Sequence, residues 1–147
     1  MPSTTLRQSL ADGRRRLEAA GIPDAALEAE LLLRHALYQL PDAAVGSQHA
    51  GTPQPVAPLI DRAYLFSHLE DALEPHSASL YESLITRRLS REPTAYILGY
   101  REFYGLDFLV TPDTLIPRPE TELVVQTAID LASQRRPYPP SPRRERG

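Results

Sequence analysis

The chain has 147 residues, a formal net charge of −3 and no cysteine. This length allows one domain with its own core plus part of a second. The lack of cysteine excludes a disulfide framework, a thiolate nucleophile and a cysteine-ligated zinc site. No apolar run approaches the roughly 20 residues that a membrane-spanning helix needs, and the first residues lack the order of a secretory signal. We therefore expect a cytoplasmic protein with no membrane association.

The basic residues are unevenly distributed. All 16 are arginine, with 11 against 18 acids over residues 1–134 and five against one over residues 135–147. An acidic body argues against general binding of phosphate backbones, so we expect no direct nucleic-acid partner. The Pro- and Arg-rich tail, 135–147, offers no packing face and is predicted to be disordered. RNA binding through this tail stays an alternative.

The first half of the chain is predicted to be helical. The first helix starts near Leu6, with Ser3 or Thr4 as N-cap and Gly21 as a left-handed C-terminal cap. A second helix should run from Asp24 to about residue 40, where a proline stops it. Its apolar face is wide enough to pack on two sides and comprises Leu27, Leu31, Leu32, Leu33, Leu37 and Leu40.

Two more helices are predicted after a loop at residues 41–58. The third ends at Pro75 and has a stripe of Leu59, Ala63, Phe66, Leu69 and Leu73. The fourth begins at Ser79, which has capping-box spacing to Glu82. Its inner face comprises Leu80, Leu84, Ile85 and Leu89. Residues 1–90 are thus expected to form a small up-and-down helical bundle.

The pattern changes after Glu92. A short helix, 94–98, is expected between Pro93 and Gly99, followed by strands at 102–104 and 107–110 around a turn at Gly105-Leu106. Residues 115–119 are forced to be extended by their prolines. A last helix, 120–133, should point its apolar side chains inward, namely Leu123, Val124, Ala128 and Leu131. The expected fold class is mainly α: a small helical bundle, a β-hairpin linker and one further helix.

Common catalytic and metal-binding motifs are missing, so the residues themselves predict no catalytic and no metal-ligating side chain. There is no glycine-rich phosphate loop, and the four histidines lack ligand spacing. Two arginine runs, 14–16 and 87–88, are compatible with a basic patch or with solvated helix faces.

The start of the last helix is the strongest candidate site. Free backbone amides, the Thr121 hydroxyl and the carboxylates of Glu120 and Glu122 gather there, and could hold a zwitterion. The alternative is helix capping and local ion pairs.

Three segments carry a family resemblance: EPTAYILG at 92–99, FYGLDFLV at 103–110 and LIPRPETELV at 115–124. In this order they resemble the release factor glutamine methyltransferases (the HemK/PrmC family), over roughly residues 5–133. The run after Ile116-Pro117-Arg118 is similar to the release-factor branch rather than to the related ribosomal-protein enzymes.

The resemblance implies a protein-glutamine N5-methyltransferase that uses S-adenosylmethionine to methylate the GGQ glutamine of peptide-chain release factors. It also implies a domain plan. Residues 1–90 would recognise the release factor, 91–118 would be the hairpin linker, and 119–134 would be the first helix of a methyltransferase domain. Phe103, Pro119, Thr121 and Glu122 match the family's cofactor-binding positions.

The chain departs from the family after the last helix. The glycine-rich cofactor loop and the Asn-Pro-Pro-Tyr motif are missing from this sequence, and with them the Rossmann-like catalytic domain. We therefore expect a truncated, monomeric chain that by itself is inactive and binds no S-adenosylmethionine. The alternative is a free-standing helical module that docks release factors without modifying them.

Overall fold

The computed structural model describes residues 4–39 and 59–134, which form six helices and one two-stranded hairpin. The elements are α1 (Leu6–Ala19), α2 (Ala25–Tyr38), α3 (Arg62–Ser67), α4 (Pro75–Leu89), α5 (Thr94–Leu98), β1 (Tyr100–Phe103), β2 (Leu106–Leu109) and α6 (Glu120–Gln134). The predicted fold class is confirmed. The predicted loop at 41–58 and tail at 135–147 lie outside the described residues.

Both ends of α1 are closed by local sequence signals. Its N-cap is Thr5 rather than the predicted Ser3 or Thr4, because only Thr5 has a glutamine three residues later to complete a capping box. The amide of Gln8 donates to Thr5 Oγ1 at 3.3 Å, and the amide of Thr5 donates to Gln8 Oε1 at 3.1 Å. At the other end Gly21 has a φ of +66°, and the Ile22 amide reaches the Leu17 carbonyl at 3.0 Å. This is a Schellman motif, so the predicted glycine cap is confirmed.

The start of α1 is also bound to a distant segment. The amides of Leu6 and Arg7 donate to the carbonyls of Asp71 and Leu69 at 3.0 and 2.9 Å, and the Leu73 amide donates to the Thr4 carbonyl at 2.8 Å. The first-turn amides of α1, which have no acceptor within the helix, are thereby satisfied.

The core lies between α1, α2 and α4. The α2 helix contributes a broad buried face that includes Ala29, Leu32, Leu33 and Ala36. Leu27 was predicted to belong to this face, but it is 51% exposed. The remaining core residues include Leu6, Leu17, Ile22, Leu65, Tyr81, Leu84, Ile85, Ile97 and Leu98.

The boundary between α3 and α4 differs from the prediction. Pro75 begins α4 instead of ending α3, because the first turn of a helix does not need the amide that proline lacks. Ser79 is therefore inside α4 and is not its N-cap. The α3 helix is only six residues long, and its fully buried side chain is Leu65, whereas Phe66 is 47% exposed. Of the predicted stripe, Leu73 is buried and Leu59 and Leu69 pack against the core, whereas Ala63 and Phe66 are exposed because no long regular helix forms there.

The linker region is close to the prediction, with a shift of one residue in the hairpin turn. Gly99 has a φ of +78° and ends α5 as expected. The turn falls at Tyr104-Gly105 and not at Gly105-Leu106, with Phe103 paired to Leu106. The amide of Val110 donates to the Gly99 carbonyl at 2.9 Å, which ties the end of β2 back to α5.

The predicted last helix, α6, forms, but its apolar side chains are not inward. None of its residues is buried. No element within residues 4–39 and 59–134 covers its apolar positions, and β2 and the segment before α6 also leave large side chains in solvent. These exposed residues are Leu106, Leu109, Leu115, Leu123, Val124, Ile129 and Leu131.

Candidate functional site

The hairpin and the start of α6 meet at Tyr104. The backbone amide of Tyr104 donates to Glu122 Oε1 at 2.9 Å. The phenol of the same residue donates to the side-chain oxygen of Gln126. Glu122 and Gln126 are four residues apart and so lie on one face of α6. Tyr104 therefore binds two successive turns of the helix.

The backbone of this turn explains why the amide is available. Tyr104 and Gly105 have φ values of +53° and +71°, the two positive values of a type I′ turn. In a two-residue turn the amide of the first central residue is not used by the ladder between the strands. The Tyr104 amide is thus free to bind a group outside the hairpin.

Glu122 is partly buried and asymmetrically bound. Its Oε1 accepts the Tyr104 amide, while Oε2 has no hydrogen-bond or ion-pair partner among the described residues. A carboxylate held in this way can accept a further donor, such as an ammonium or a hydroxyl group, without releasing its protein contact.

The other predicted site residues surround this contact. Phe103, the last residue of β1, is partly buried and packs edge-to-face on Phe108, with ring centroids 6.1 Å apart. Thr121 is exposed, and its amide donates to the Arg118 carbonyl at 3.0 Å; the Glu122 amide donates to the Pro119 carbonyl at 3.0 Å. Both amides are used within the turn itself. At these two positions the structure therefore agrees with the alternative of helix capping. Arg118 makes no ion pair in the described part of the chain.

Sequence reasoning missed Tyr104 and Gln126. The available signal was Gly105, because a type I′ turn favours glycine as the second of its two central residues. This places Tyr104 as the first central residue. Misplacing the turn by one residue hid the role of Tyr104.

The two arginine runs do not form a bare basic patch. Arg14 pairs with Glu18 at 2.6 Å and Arg15 pairs with Asp12. Arg16 binds Glu82 of α4 at 2.8 Å, and this bond raises the pKa of the arginine. For this first run, the alternative of ordinary solvated helix faces is closer to the structure.

The second run is paired as well. Arg87 donates to Glu92 at 2.5 Å, and this hydrogen bond lowers the pKa of the Glu92 carboxyl group. Arg88 binds both carboxylate oxygens of Glu28, and Thr94 Oγ1 donates to the same carboxylate at 2.9 Å. This cluster joins the bundle to α5.

A second surface is a groove of about 550 Å³ where α1, α2 and α3 meet. Its apolar lining includes the exposed side chains of Leu27 and Phe66. The buried carboxylate of Glu30 lies in its wall, with Arg62 Nε 2.8 Å from Oε1. The other lining residues include Leu10, Leu69, Arg7 and Arg14. We refer to this surface as the α1–α3 groove.

Within residues 4–39 and 59–134 there is no cluster of three or more potential metal ligands. None of the helices described here is long and apolar enough to cross a membrane.

Comparison with known proteins identifies similar chains. The family model for the PrmC N-terminal domain matches residues 59–99. The release factor glutamine methyltransferase of Koribacter versatilis is 40% identical over 128 residues, which cover 87% of this chain and 38% of that protein. The enzyme of the same name from Geobacter sulfurreducens is 38% identical over 128 residues, with the same coverage of 87% and 38%. That of Bordetella pertussis is 52% identical over 68 residues, 46% of this chain and 25% of its own length.

The resemblance predicted from the sequence is confirmed by these matches. The chain is similar to the N-terminal part of release factor glutamine methyltransferases. It spans less than two fifths of the length of these relatives.

Proposed function

We propose that this chain is the recognition region and linker of a protein-glutamine N5-methyltransferase. The enzyme would transfer a methyl group from S-adenosylmethionine to the GGQ glutamine of peptide-chain release factors. The observation that carries the proposal is 40% identity over 128 residues to a protein named for this activity. The match spans 87% of the chain, so it extends well beyond the 41 residues of the family model, 59–99.

The same proposal assigns a part to each region. Residues 1–90 would recognise the release factor, 91–118 would be the linker, and 119–134 would begin the methyltransferase domain. The exposed apolar side chains of β2 and α6 support this assignment, because a large apolar surface is normally covered by a partner. The enzyme would be a cytoplasmic monomer.

Part of the cofactor site fits the residues present. Glu122 has an open carboxylate oxygen for an ammonium group, and the ring of Phe103 lies two residues along the hairpin from Gly105 and beside the turn. Pro119 directly precedes α6, and Thr121 lies in its first turn. S-adenosylmethionine would supply an electrophilic methyl group on its sulfonium. These four residues would only bind and orient it.

Methyl transfer also requires that the target amide be placed in line with that methyl group, since an amide nitrogen is a weak nucleophile. The sequence contains no Asn-Pro-Pro-Tyr motif for this purpose, and it also lacks the glycine-rich cofactor loop. We therefore propose that the chain by itself is inactive and does not bind the cofactor measurably.

The test is a chimera. Residues 1–134 replace the matching region of the Koribacter versatilis relative, and methylation of a purified release factor is measured by mass spectrometry. We expect a rate within about tenfold of that relative, because the exchanged region is similar along its length. The catalytic part of the relative without any N-terminal region serves as the control. A chimera that folds but transfers no methyl group would refute the proposal.

The α1–α3 groove favours a second candidate, a docking module that binds release factors without modifying them. In that case the isolated 147-residue chain should retain a release factor on an affinity column. Leu27→Asp should abolish retention, because Leu27 lines the groove and is half exposed. Arg15→Glu is the matched control, since Arg15 is exposed on the same bundle but does not line this groove. Retention together with an inactive chimera would favour this candidate over the first.

A further inference from the structure

We propose that the Tyr104-Gly105 turn is a positioning element for the Glu122 carboxylate. The turn engages Oε1 and leaves Oε2 open to the ammonium group of the bound cofactor. The inference rests on the proposed function, because that function supplies the ligand.

The first support is the way α6 is attached. Within the described part of the chain, both side-chain hydrogen bonds that join α6 to the hairpin are made by Tyr104. No residue of α6 is buried, so apolar packing does little to fix the helix there. The direction of the Glu122 side chain therefore depends on the position of the Tyr104 amide.

The second support is the backbone of the turn. Gly105 has a φ of +71°, and the space around its Cβ position is open to at least 4 Å. Any cost of a side chain at this position would come from the backbone angle and not from crowding. Asparagine tolerates this angle, whereas a β-branched residue does not. A comparison of Gly105→Val with Gly105→Asn therefore tests the backbone of the turn and little else.

The third support is the chemistry of the carboxylate. A hydrogen bond from a neutral amide leaves the negative charge of Glu122 uncompensated, unlike an ion pair with an arginine. The charge stays available to a cation, while the bond restricts the rotamers of the side chain. Such prior orientation increases affinity because the side chain is not ordered at the moment of binding.

The contact is first tested on the 147-residue chain by NMR. The Tyr104 amide proton should be protected from hydrogen exchange, because it donates to Glu122 Oε1. This protection should be lost in Glu122→Ala and in Gly105→Val, and it should persist in Gly105→Asn and Tyr104→Phe. A Tyr104 amide that exchanges freely, or that is still protected in Glu122→Ala, would overturn the proposal.

The role is then tested in the chimera, by calorimetry with S-adenosylmethionine. Gly105→Val should weaken binding about tenfold or more, as expected for a lost hydrogen bond to a charged group. Gly105→Asn should restore the affinity to within about twofold of the unsubstituted chimera. In a Glu122→Gln background, Gly105→Val should have little further effect, because both changes act through one carboxylate.

The outcomes separate the two proposals. If Gly105→Val and Glu122→Gln weaken binding additively, the turn acts in some other way and the positioning role is wrong. If the folded, unsubstituted chimera does not bind the cofactor, the proposed function fails and the positioning role fails with it.

Discussion

Gly13 offers a direct test of the helix packing. It is buried in the middle of α1, where a Cβ atom would lie 2.9 Å from Cζ of Tyr81 and 3.2 Å from Cδ1 of Ile85. The Tyr81 hydroxyl would be closer still. This phenol is 2% exposed and donates to the Ala29 carbonyl at 3.5 Å, and its burial raises its pKa. Gly13→Ala would therefore force α1 and α4 apart.

Two opposing terms decide the size of the effect. Replacing glycine by alanine inside a helix normally stabilises by about 0.5–1 kcal/mol. Overpacking a core by one methyl group costs about 1–3 kcal/mol. We expect Gly13→Ala to lower the free energy of unfolding by about 1–2 kcal/mol. The measurement is urea denaturation of the 147-residue chain, followed by circular dichroism.

Tyr81→Phe tests whether the Tyr81 hydroxyl causes the loss of stability in Gly13→Ala. In the Gly13→Ala background it should recover about 1 kcal/mol, although it removes a hydrogen bond in the unsubstituted chain. Ala11→Gly, at an exposed position of α1, calibrates the helix-propensity term. If Gly13→Ala is more stable than the unsubstituted chain, the close approach between α1 and α4 does not exist in solution.

Three further changes concern the ion pairs and a helix cap. Glu28→Ala should cost about 2–4 kcal/mol, because it leaves the guanidinium of Arg88, whose side chain is only 12% exposed, without its partner. Glu92→Gln should be less stable than the unsubstituted chain at pH 7, and this difference should shrink as the pH falls through the lowered pKa of Glu92. Gly21→Ala should cost about 1 kcal/mol through its φ of +66°. All three are measured from urea unfolding curves.

Each of these predictions has a matched control. Glu70→Ala breaks the exposed pair with Arg7 and should change stability by less than about 0.5 kcal/mol; an equal loss at both sites would contradict the burial argument. For Glu92 the direction of the pH effect follows from its lowered pKa. A carboxyl group with a lowered pKa stabilises the fold at a pH above its unfolded-state pKa, and this stabilisation is lost in acid. A stability difference between Glu92→Gln and the unsubstituted chain that grows in acid would contradict the prediction. Gly21→Asn should cost less than Gly21→Ala, because asparagine accepts the left-handed region more readily.

Helix ends were predicted correctly from the sequence where the residue type at that position has a single structural use. Gly21 and Gly99 end helices because the left-handed backbone favours glycine, and both positions were predicted. Pro93 likewise precedes a helix that forms where the sequence indicated. The start of α4 failed for the complementary reason. Proline has two uses next to a helix, and the sequence does not say whether Pro75 ends one helix or begins the next.

The candidate site shows where prediction from sequence stops. Glu122 was identified from its place at the start of the last helix and Phe103 through the family resemblance, but the contact between Glu122 and the turn depends on which two residues occupy the I′ positions. A shift of one residue changes which amide faces α6. The exposure of Leu123 and Leu131 had a different cause. Their helical spacing correctly indicated an apolar face, but spacing carries no information on whether the partner of that face is part of the described chain.

The hydrogen bonds at the start of α1 have a consequence for the order of events on the ribosome. α1 is synthesised early, yet the acceptors for its first amides, the carbonyls of Leu69 and Asp71, are added more than 60 residues later. At about 5–20 residues per second, this is a delay of roughly 3–13 s. During that interval the capping box of Thr5 and Gln8 is what protects the beginning of the helix. The contact between the start of α1 and residues 69–73 therefore cannot form until those residues have left the exit tunnel.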